Sequence, residues 1–522
     1  MLISKKHKKL LLRSRNPARI MSVIPTARIL NHKGAEFVVV PHRLDEVRVL
    51  RNIGISAPSP IAYYYDWSGR YRPFKHQQST AEFLTLNPRA FVLNQIGTGK
   101  TMSVLWAVHY LMETMRVRKV LIVSPLSTLE RVWADEVFRN FPDLTAVVLH
   151  GSAERRRKLL ALDADIYVIN HDGLKVLYEE LQARTDIDLV VIDELAEYRN
   201  ASTDRWKTLN GIIKDRSWVW GLTGSPTPKA PTDAWAQCRL LAPEKVPKYY
   251  GRFRDMVMRQ VTTYKWTPRN EAKTIVHAAM QPSIIFTRDE CLDLPPCTYS
   301  TRTVPLGDAQ QKAYKDMLTK LKSEFAGGEI TAVNDAVKAM KLVQIACGVA
   351  YDNQGEDVIF PAEGRVNAAK EIIEQAEGKV ILYVPLTGGL NLIADELRAD
   401  GKRVGVVYGG TPKAERDSIF AEFQNPVGSI DILVAHPKCM SHGLTLTSAS
   451  VIIWYIPTND FSVYEQACGR IIRQGQTRHQ HIIHLEGSPV ERRMYMNLEN
   501  RDKQQSVLLN LFRDEQAEAN KV

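Results

Sequence analysis

The strongest constraint in this chain is a rhythm. Short β-branched runs, bounded by polar turns and followed by stretches of helical spacing, recur in two separate series. The first series holds Phe91–Leu93, Val120–Val123, Val147–Leu149, Ile166–Ile169, Leu189–Ile192 and Trp218–Leu222. The second holds Val380–Val384, Val404–Val407, Ile430–Val434, Val451–Tyr455 and Ile482–Leu485. After the first run, Val104, Leu105, Val108, Leu111 and Met112 keep one helical face apolar. Strands alternating with helices build parallel sheets, so the pattern predicts an α/β fold with two doubly wound parallel-sheet lobes. Sites in such lobes lie at the carboxyl ends of the strands.

The rest of the chain divides around these series. Residues 1–67 read as a basic arm and a small accessory domain, with a β-branched run at Phe37–Val40. Residues 68–242 read as the first lobe and 365–522 as the second, with a C-terminal helix. The stretch 243–364 is richer in charge and helix formers, and reads as helical insertions and a crossover. A break is expected in it at Gly327 and Gly328. No acid precedes Glu36, and the first twenty residues are strongly basic. They read as a disordered arm, or as residues ahead of a start at Met21, in preference to a transit peptide.

Length and composition set outer limits. A chain of 522 residues exceeds one hydrophobic core, and its 44% apolar and 24% charged residues are ordinary for a globular protein. The formal net charge of +11 favours a polyanionic partner. No apolar run is long enough to span a bilayer, so no membrane partner is expected. Six scattered cysteines without a CxxC pair argue against a zinc site or a disulfide framework and fit a reducing compartment. His479, His481 and His484 fall where a strand begins, and are read as strand residues in preference to metal ligands.

Two motifs carry chemistry. FVLNQIGTGKT is a strand, a glycine loop and a helix start. In such a loop the backbone N–H groups around Gly97, Thr98 and Gly99 face phosphates beside a helix N-terminus. Lys100 is expected on the β- and γ-phosphates, and the Thr101 hydroxyl on Mg2+. Asn94 stands where the loop pattern usually begins with glycine. LVVIDELAEYRN is a strand ending in two acids. Asp193 is expected to hold Mg2+ and Glu194 to polarise the attacking water.

With these two sites, the ordered set of later segments resembles the SWI/SNF family of superfamily-two helicase-like ATPases. YRPFKHQ resembles its adenine-recognition motif, which puts Gln77 on the base. LIVSPLSTLERVWADEV resembles motif Ia, with Trp133 and Glu136 at favoured positions, and GLTGSPTPKAPTDAW with the following RLLAP resembles motif III and its continuation. VILYVPLTGGLNLIADEL resembles motif IV, and VVYGGTPKAERDSIFAEFQ the segment after it. MSHGLTLTSASVIIWYIPTND resembles motif V, with Gly443 at its tight turn. YEQACGRIIRQGQTRH resembles motif VI, with Gln466, Gly469, Arg470 and Arg473 in the corresponding places. Arg470 and Arg473, three apart, are expected on one helical face, where they would stabilise charge developing at the γ-phosphate. The chain departs from the pattern at Leu195-Ala196 and at Pro228 and Lys229.

The resemblance covers roughly residues 70 to 510. It implies two RecA-like lobes, ATP and Mg2+ as cofactors, and an ATP hydrolase that translocates on duplex DNA and remodels branched or protein-bound DNA. Alternatives from other classes are a strand-separating DNA or RNA helicase and an ATPase-inactive DNA-binding scaffold. The expected partner is duplex or branched DNA, held by a monomer in the cytoplasm, or in the host cytoplasm if phage-encoded. Ser124, Leu126, Asn170, His171, Ser441 and His442 would line the nucleic-acid track, with added grip or a solvated face at Lys320, Lys322, Lys338 and Lys341. The segment from His42 to Gly69 is open between a resemblance to the module before the motor in HARP-type annealing helicases and small phage-type members, and a structural cap that shapes the nucleotide pocket. Phe37, Val39 and the helix LDEVRVLRNIG would pack it on the first lobe. Trp67 and Tyr71 are open between stacking on adenine and packing.

Overall fold

The computed structural model describes residues 1–32, 35–263, 265–291, 294–320, 322–325, 328–331, 335–352, 354–440 and 445–502. They form two compact units, one from Met1 to Cys291 and one holding the described residues from 294 to 502.

The first unit opens with four strands, β1 (Leu2–Ser4), β2 (Lys9–Leu12), β3 (Arg28–His32) and β4 (Ala35–Pro41), and a helix, α1 (Pro17–Val23). The strands form an antiparallel sheet in the order β1-β2-β4-β3. Helices α2 (Leu44–Asn52), α3 (Ile61–Tyr64) and α4 (Lys75–Leu86) lead into the main sheet. That sheet comprises β5 (Arg89–Val92), β6 (Lys119–Ser124), β7 (Ala146–Leu149), β8 (Ile166–Asn170), β9 (Ile187–Asp193) and β10 (Trp218–Leu222). After a short hairpin, β11 (Met258–Gln260) with β12 (Trp266–Pro268), the edge strand β13 (Ser283–Ile284) joins it. All seven strands are parallel, in the order β13-β5-β10-β9-β6-β8-β7.

The β-branched runs behave as strands buried on both faces. In β9, Leu189 and Val191 enter one core while Val190 and Ile192 enter the other. Trp218, Trp220 and Leu222 of β10 face the first of these cores, and Val219 the second. Helices α5 (Lys100–Glu113) and α6 (Asp135–Asn140) fill in behind the sheet.

The first twenty residues correct the sequence reading, because they are folded. Leu10 pairs with Val40 and Leu12 with Val38, and Leu10 and Leu12 are buried at alternate positions. These four residues share one core with Ala81, Leu84 and Trp106 of the main lobe. The period of two also corrects the expected contacts of β4. Val38 and Val40 enter that core, whereas Val39 is half-buried and Phe37 packs beneath the Arg13 guanidinium, 5.2 Å from its ring centroid. The expected helix over LDEVRVLRN forms, with Val47 and Leu50 inward. Trp67 packs edge-on against Trp106 at 5.8 Å, and Tyr71 is half-exposed.

The second unit begins with β14 (Cys297–Thr303). Two short antiparallel pairs follow, β15 (Lys322–Phe325) with β16 (Gly328–Thr331), and β17 (Val349–Tyr351) with β18 (Asp357–Ile359). Gly328 thus opens a strand, and Gly327 lies outside the described residues. The main strands are β19 (Lys379–Tyr383), β20 (Val404–Val407), β21 (Ile432–Ala435), β22 (Ala449–Trp454) and β23 (Gln480–Glu486). With β14 they make a six-stranded parallel sheet in the order β14-β23-β22-β19-β21-β20. This is the second doubly wound lobe, again with a core on each face. Among the described residues, no helix is long and apolar enough to cross a membrane.

Two outcomes test this packing. Leu10→Ala should cost about 2–5 kcal/mol, the usual range for a buried leucine, seen as a lower melting temperature. An unchanged melt would mean that β2 is not part of the folded core. His484 is buried against Tyr495 and bonded to the Tyr464 hydroxyl at 2.8 Å, and burial pushes its pKa down to about 4. The unfolded chain therefore takes up a proton that the fold refuses. His484 should cost about 2 kcal/mol of stability as pH falls from 7 to 5. Acid-melting curves of His484→Phe should be flatter over that range.

Candidate functional site

The register of the first sheet sets the site. Strand β10 lies between β5 and β9, and Leu222 is level with both Val92 and Asp193. Three chain segments therefore leave the carboxyl edge at one height, successive strands being about 4.8 Å apart. They are the loop 94–99 after β5, the turn at Thr223 after β10, and the acids ending β9.

The loop needs its glycines. Gly97 and Gly99 have φ of +91° and +76°, and Gly99 is the N-cap of α5. A Cβ on Gly99 would strike the side-chain amide of Gln77. That amide is fixed from behind, because Gln77 Oε1 accepts the Phe74 N–H at 2.9 Å. His76 bonds the Thr98 carbonyl at 2.9 Å, while the Thr98 hydroxyl donates to the Gln95 carbonyl at 2.8 Å. Lys100 Nζ donates to the carbonyls of Asn94 and Gln95 at 2.7 and 3.3 Å. Thr101 follows in the first turn of α5, half-buried. Asn94 is tolerated in place of glycine because its side chain turns into the fold, donating to the Thr80 hydroxyl at 3.0 Å.

Across the edge, Asp193 accepts from Trp133 Nε1 and from the Glu194 N–H, both at 3.1 Å. Although part of its surface stays accessible, protein crowds the carboxylate, and lost hydration raises its pKa. Trp133, Lys100 and the Glu194 amide oppose that rise. Glu194 sits at φ 54° and ψ 55°, a left-handed conformation that costs a side-chain-bearing residue about 1–2 kcal/mol. It swings the chain into the 3-10 turn Leu195–Tyr198. Leu195 is buried there against Gly221, which explains one departure from the usual motif. At the other, the Lys229 and Ala230 N–H groups both donate to Asp233 Oδ2.

Two contributors were not assigned from sequence. His76 braces the glycine loop, and its neighbour Gln77 was the only signal. Trp133 stood in a recognised motif without a role. It sits in a π-turn, Leu129–Ala134, a rare geometry that re-aims a side chain. Glu136 and Asn140, one turn on, bond each other at 2.7 Å, and Asn140 Oδ1 takes the Arg70 N–H at 3.0 Å.

In the second unit Gln466 is buried on the helix Phe461–Cys468, whose N-terminus is capped by Asp460. That helix stops at Cys468, so the expectation that Arg470 and Arg473 share a helical face is corrected. Gly469 caps it, and the Arg470 carbonyl instead accepts the Leu446 N–H at 3.1 Å. Arg470 is buried, whereas Arg473 reaches back to the Gly469 carbonyl at 3.0 Å. Ser441, His442 and Gly443 lie outside the described residues.

The proposed track residues differ in exposure. Leu126 is exposed, whereas Ser124 is buried against the Thr128 hydroxyl at 2.7 Å and His171 against the Tyr198 hydroxyl at 2.9 Å. Asn170 is half-buried and accepts from Arg156 at 3.0 Å. Lys338 and Lys341 are half-buried and donate to the carbonyls of Leu318 and Tyr351, so neither lies on a freely solvated face. The side chains of Lys320 and Lys322 lie outside the described residues.

Residues 77–348 match the SNF2-related domain, and residues 364–475 match the helicase conserved C-terminal domain. The chain belongs to the SNF2-related family. As a member it is a helicase-like, DNA-binding ATP hydrolase of superfamily two. It is similar to protein p41 of Acyrthosiphon pisum secondary endosymbiont phage 1, 23% identical over 78% of this chain and 91% of that one. It is 24% identical to an ISWI chromatin-remodeling complex ATPase of Arabidopsis thaliana over 74% of this chain and 37% of that protein. The SNF2-related chain thus spans about a third of the length of such remodelling ATPases. A solved Sulfolobus solfataricus SWI2/SNF2 ATPase core in complex with dsDNA aligns over 87% of this chain and 97% of that one, at 21% identity and a TM-score of 0.41.

Trp133→Phe keeps the apolar bulk and removes the donor to Asp193. Hydrogen bonds to charged groups are worth about 1.5–3 kcal/mol, so ATP turnover should fall about tenfold or more. Unchanged steady-state turnover would show that the orientation of Asp193 does not depend on this bond.

Proposed function

We propose that this SNF2-related chain is a DNA-stimulated ATPase that translocates on duplex DNA and remodels branched or protein-bound DNA. The observation that carries the reading is the aligned carboxyl edge, where Lys100 and Asp193 interact electrostatically beside a glycine loop, with Thr101 next in the chain. The chromatin-remodeling ATPases among its relatives support the DNA side of the proposal.

In the proposed reaction, the loop N–H groups around Gly97, Thr98 and Gly99 hold the phosphates, and Gln77 meets the base. Lys100 exchanges its carbonyl partners for the β- and γ-phosphates. The donor set of Thr101 hydroxyl and Asp193 carboxylate suits a hard, oxygen-loving cation. Mg2+ bound there would neutralise phosphate charge. Glu194 takes a proton from water as its oxygen attacks the γ-phosphorus. The bond from that phosphorus to the bridging oxygen breaks, and its electron pair leaves with ADP. Arg470 and Arg473 are proposed as the cations that stabilise the transferring phosphoryl group, with Gln466 and Gly443 proposed among the nucleotide-binding residues. Repeated ATP binding and release would then move the chain along the backbone in small steps.

The test is the steady-state ATPase rate without nucleic acid and with single-stranded, duplex or forked DNA or RNA. Duplex or forked DNA should stimulate most, weakening as salt rises. Stimulation by single strands or RNA alone would move the assignment to a strand-separating helicase. No nucleic-acid response at all would favour a scaffold. Glu194→Gln should still bind ATP, with turnover down by at least about a hundredfold, and normal turnover would remove Glu194 from its role.

A further inference from the structure

Nine lysines and arginines precede Glu36, the first acid of the chain. In the fold, the eight that are described sit on a packed element, and all eight are exposed. None of them makes an ion pair among the described residues. Elsewhere in this unit, cations such as Arg116, Arg118 and Lys119 are matched to carboxylates. Four of the eight, Lys5, Lys6, Lys8 and Lys9, lie in or beside the turn joining β1 and β2.

That turn is held in place. Lys8 has φ 49°, donates its N–H to the Lys5 carbonyl at 3.3 Å and accepts the His42 N–H at 2.8 Å. Lys5 Nζ lies 5.6 Å from the Tyr63 ring centroid and Lys8 Nζ 5.4 Å from that of Tyr64. The Tyr64 hydroxyl bonds His42 at 2.9 Å, and the other nitrogen of His42 bonds the Pro58 carbonyl at 2.9 Å. Behind the turn, Leu10 anchors β2 in the core. The cations are therefore presented on a rigid support.

Fixing like charges side by side raises their mutual repulsion, which an unfolded arm would relax by spreading. A turn of four lysines, two of them seated over aromatic rings and with no acid nearby in sequence, is complementary to a dense line of negative charge. We propose that the β1–β2 turn is a second nucleic-acid contact, gripping the phosphate backbone without reading sequence. The inference rests on the DNA reading above. It adds a grip on the N-terminal sheet, separate from the track expected along the strand ends.

The full chain carrying Lys5→Gln, Lys6→Gln, Lys8→Gln and Lys9→Gln should bind a labelled duplex more weakly. The slope of log affinity against log salt should become shallower by about 3 to 4, close to one for each phosphate no longer neutralised. ATPase rate at saturating DNA should stay within about twofold. Replacing the same four lysines with arginine should restore the slope. In the unaltered chain, duplex DNA should protect these lysines from acetylation, read by mass spectrometry, which keeps the test open if the glutamine chain folds poorly. An unchanged slope together with unprotected lysines overturns the proposal. So does a glutamine chain that keeps its DNA slope but loses binding to vesicles containing phosphatidylserine, which would make the partner a membrane surface. If the unaltered chain shows no DNA-stimulated ATPase, the functional reading fails separately, and the slope and protection still decide this contact.

Discussion

The nucleotide site proposed for the first unit depends on one alignment, that of Val92, Leu222 and Asp193 across three neighbouring parallel strands. Parallel pairing brings every carboxyl end to the same side, and placing β10 between β5 and β9 fixes the gap between loop and acid at two strand spacings. A register shift of one residue would turn Asp193 toward the other face. The alternation of Leu189, Val190, Val191 and Ile192 between two cores makes such a shift costly. The position of the acid is thus set by the burial of its apolar neighbours.

Around that edge the chain tolerates local cost. Glu194 accepts a left-handed backbone, and Asp193 accepts crowding that opposes its charge. Trp133 offsets part of this by donating to the carboxylate from a turn that is itself irregular. Strain concentrated where a sheet ends, and supported by a packed indole, is what a preorganised site requires. The second unit carries its own buried fixture, the ion pair of Arg365 and Glu491 at 2.8 Å, which is completed by the Tyr455 carbonyl.

The sequence was most legible where burial is symmetrical. Strands β5 to β10 and β19 to β23 are β-branched runs with core on both faces, so a local pattern sufficed. Strands β13 and β14 were not read, since the first has two residues and the second is a largely exposed edge, Cys297–Thr303, with little apolar content. The N-terminal sheet was misjudged because charge outweighed the Leu10 and Leu12 alternation, and its strands are too short for periodicity to speak. In the candidate site, the glycine loop and the acids were readable from spacing alone. The bracing by His76 and Trp133 was not, because those contacts join residues 22 and 60 positions apart. The arginine pair misled because the helix ends at Cys468, before it reaches either arginine.

Helix α4 has a consequence for how the chain can be divided. Its first turn holds the glycine loop through His76 and Gln77, and its last turns hold the N-terminal module, where the Ser59 N–H meets Glu82 and the Ser59 hydroxyl meets Thr85, both at 2.8 Å. The SNF2-related match begins at residue 77, within this helix. A fragment cut at that boundary would start inside a secondary-structure element and bare Ala81 and Leu84, both fully buried in the whole chain. The border of shared ancestry and the border of cooperative folding do not coincide here, and any dissection into portable parts has to follow the second.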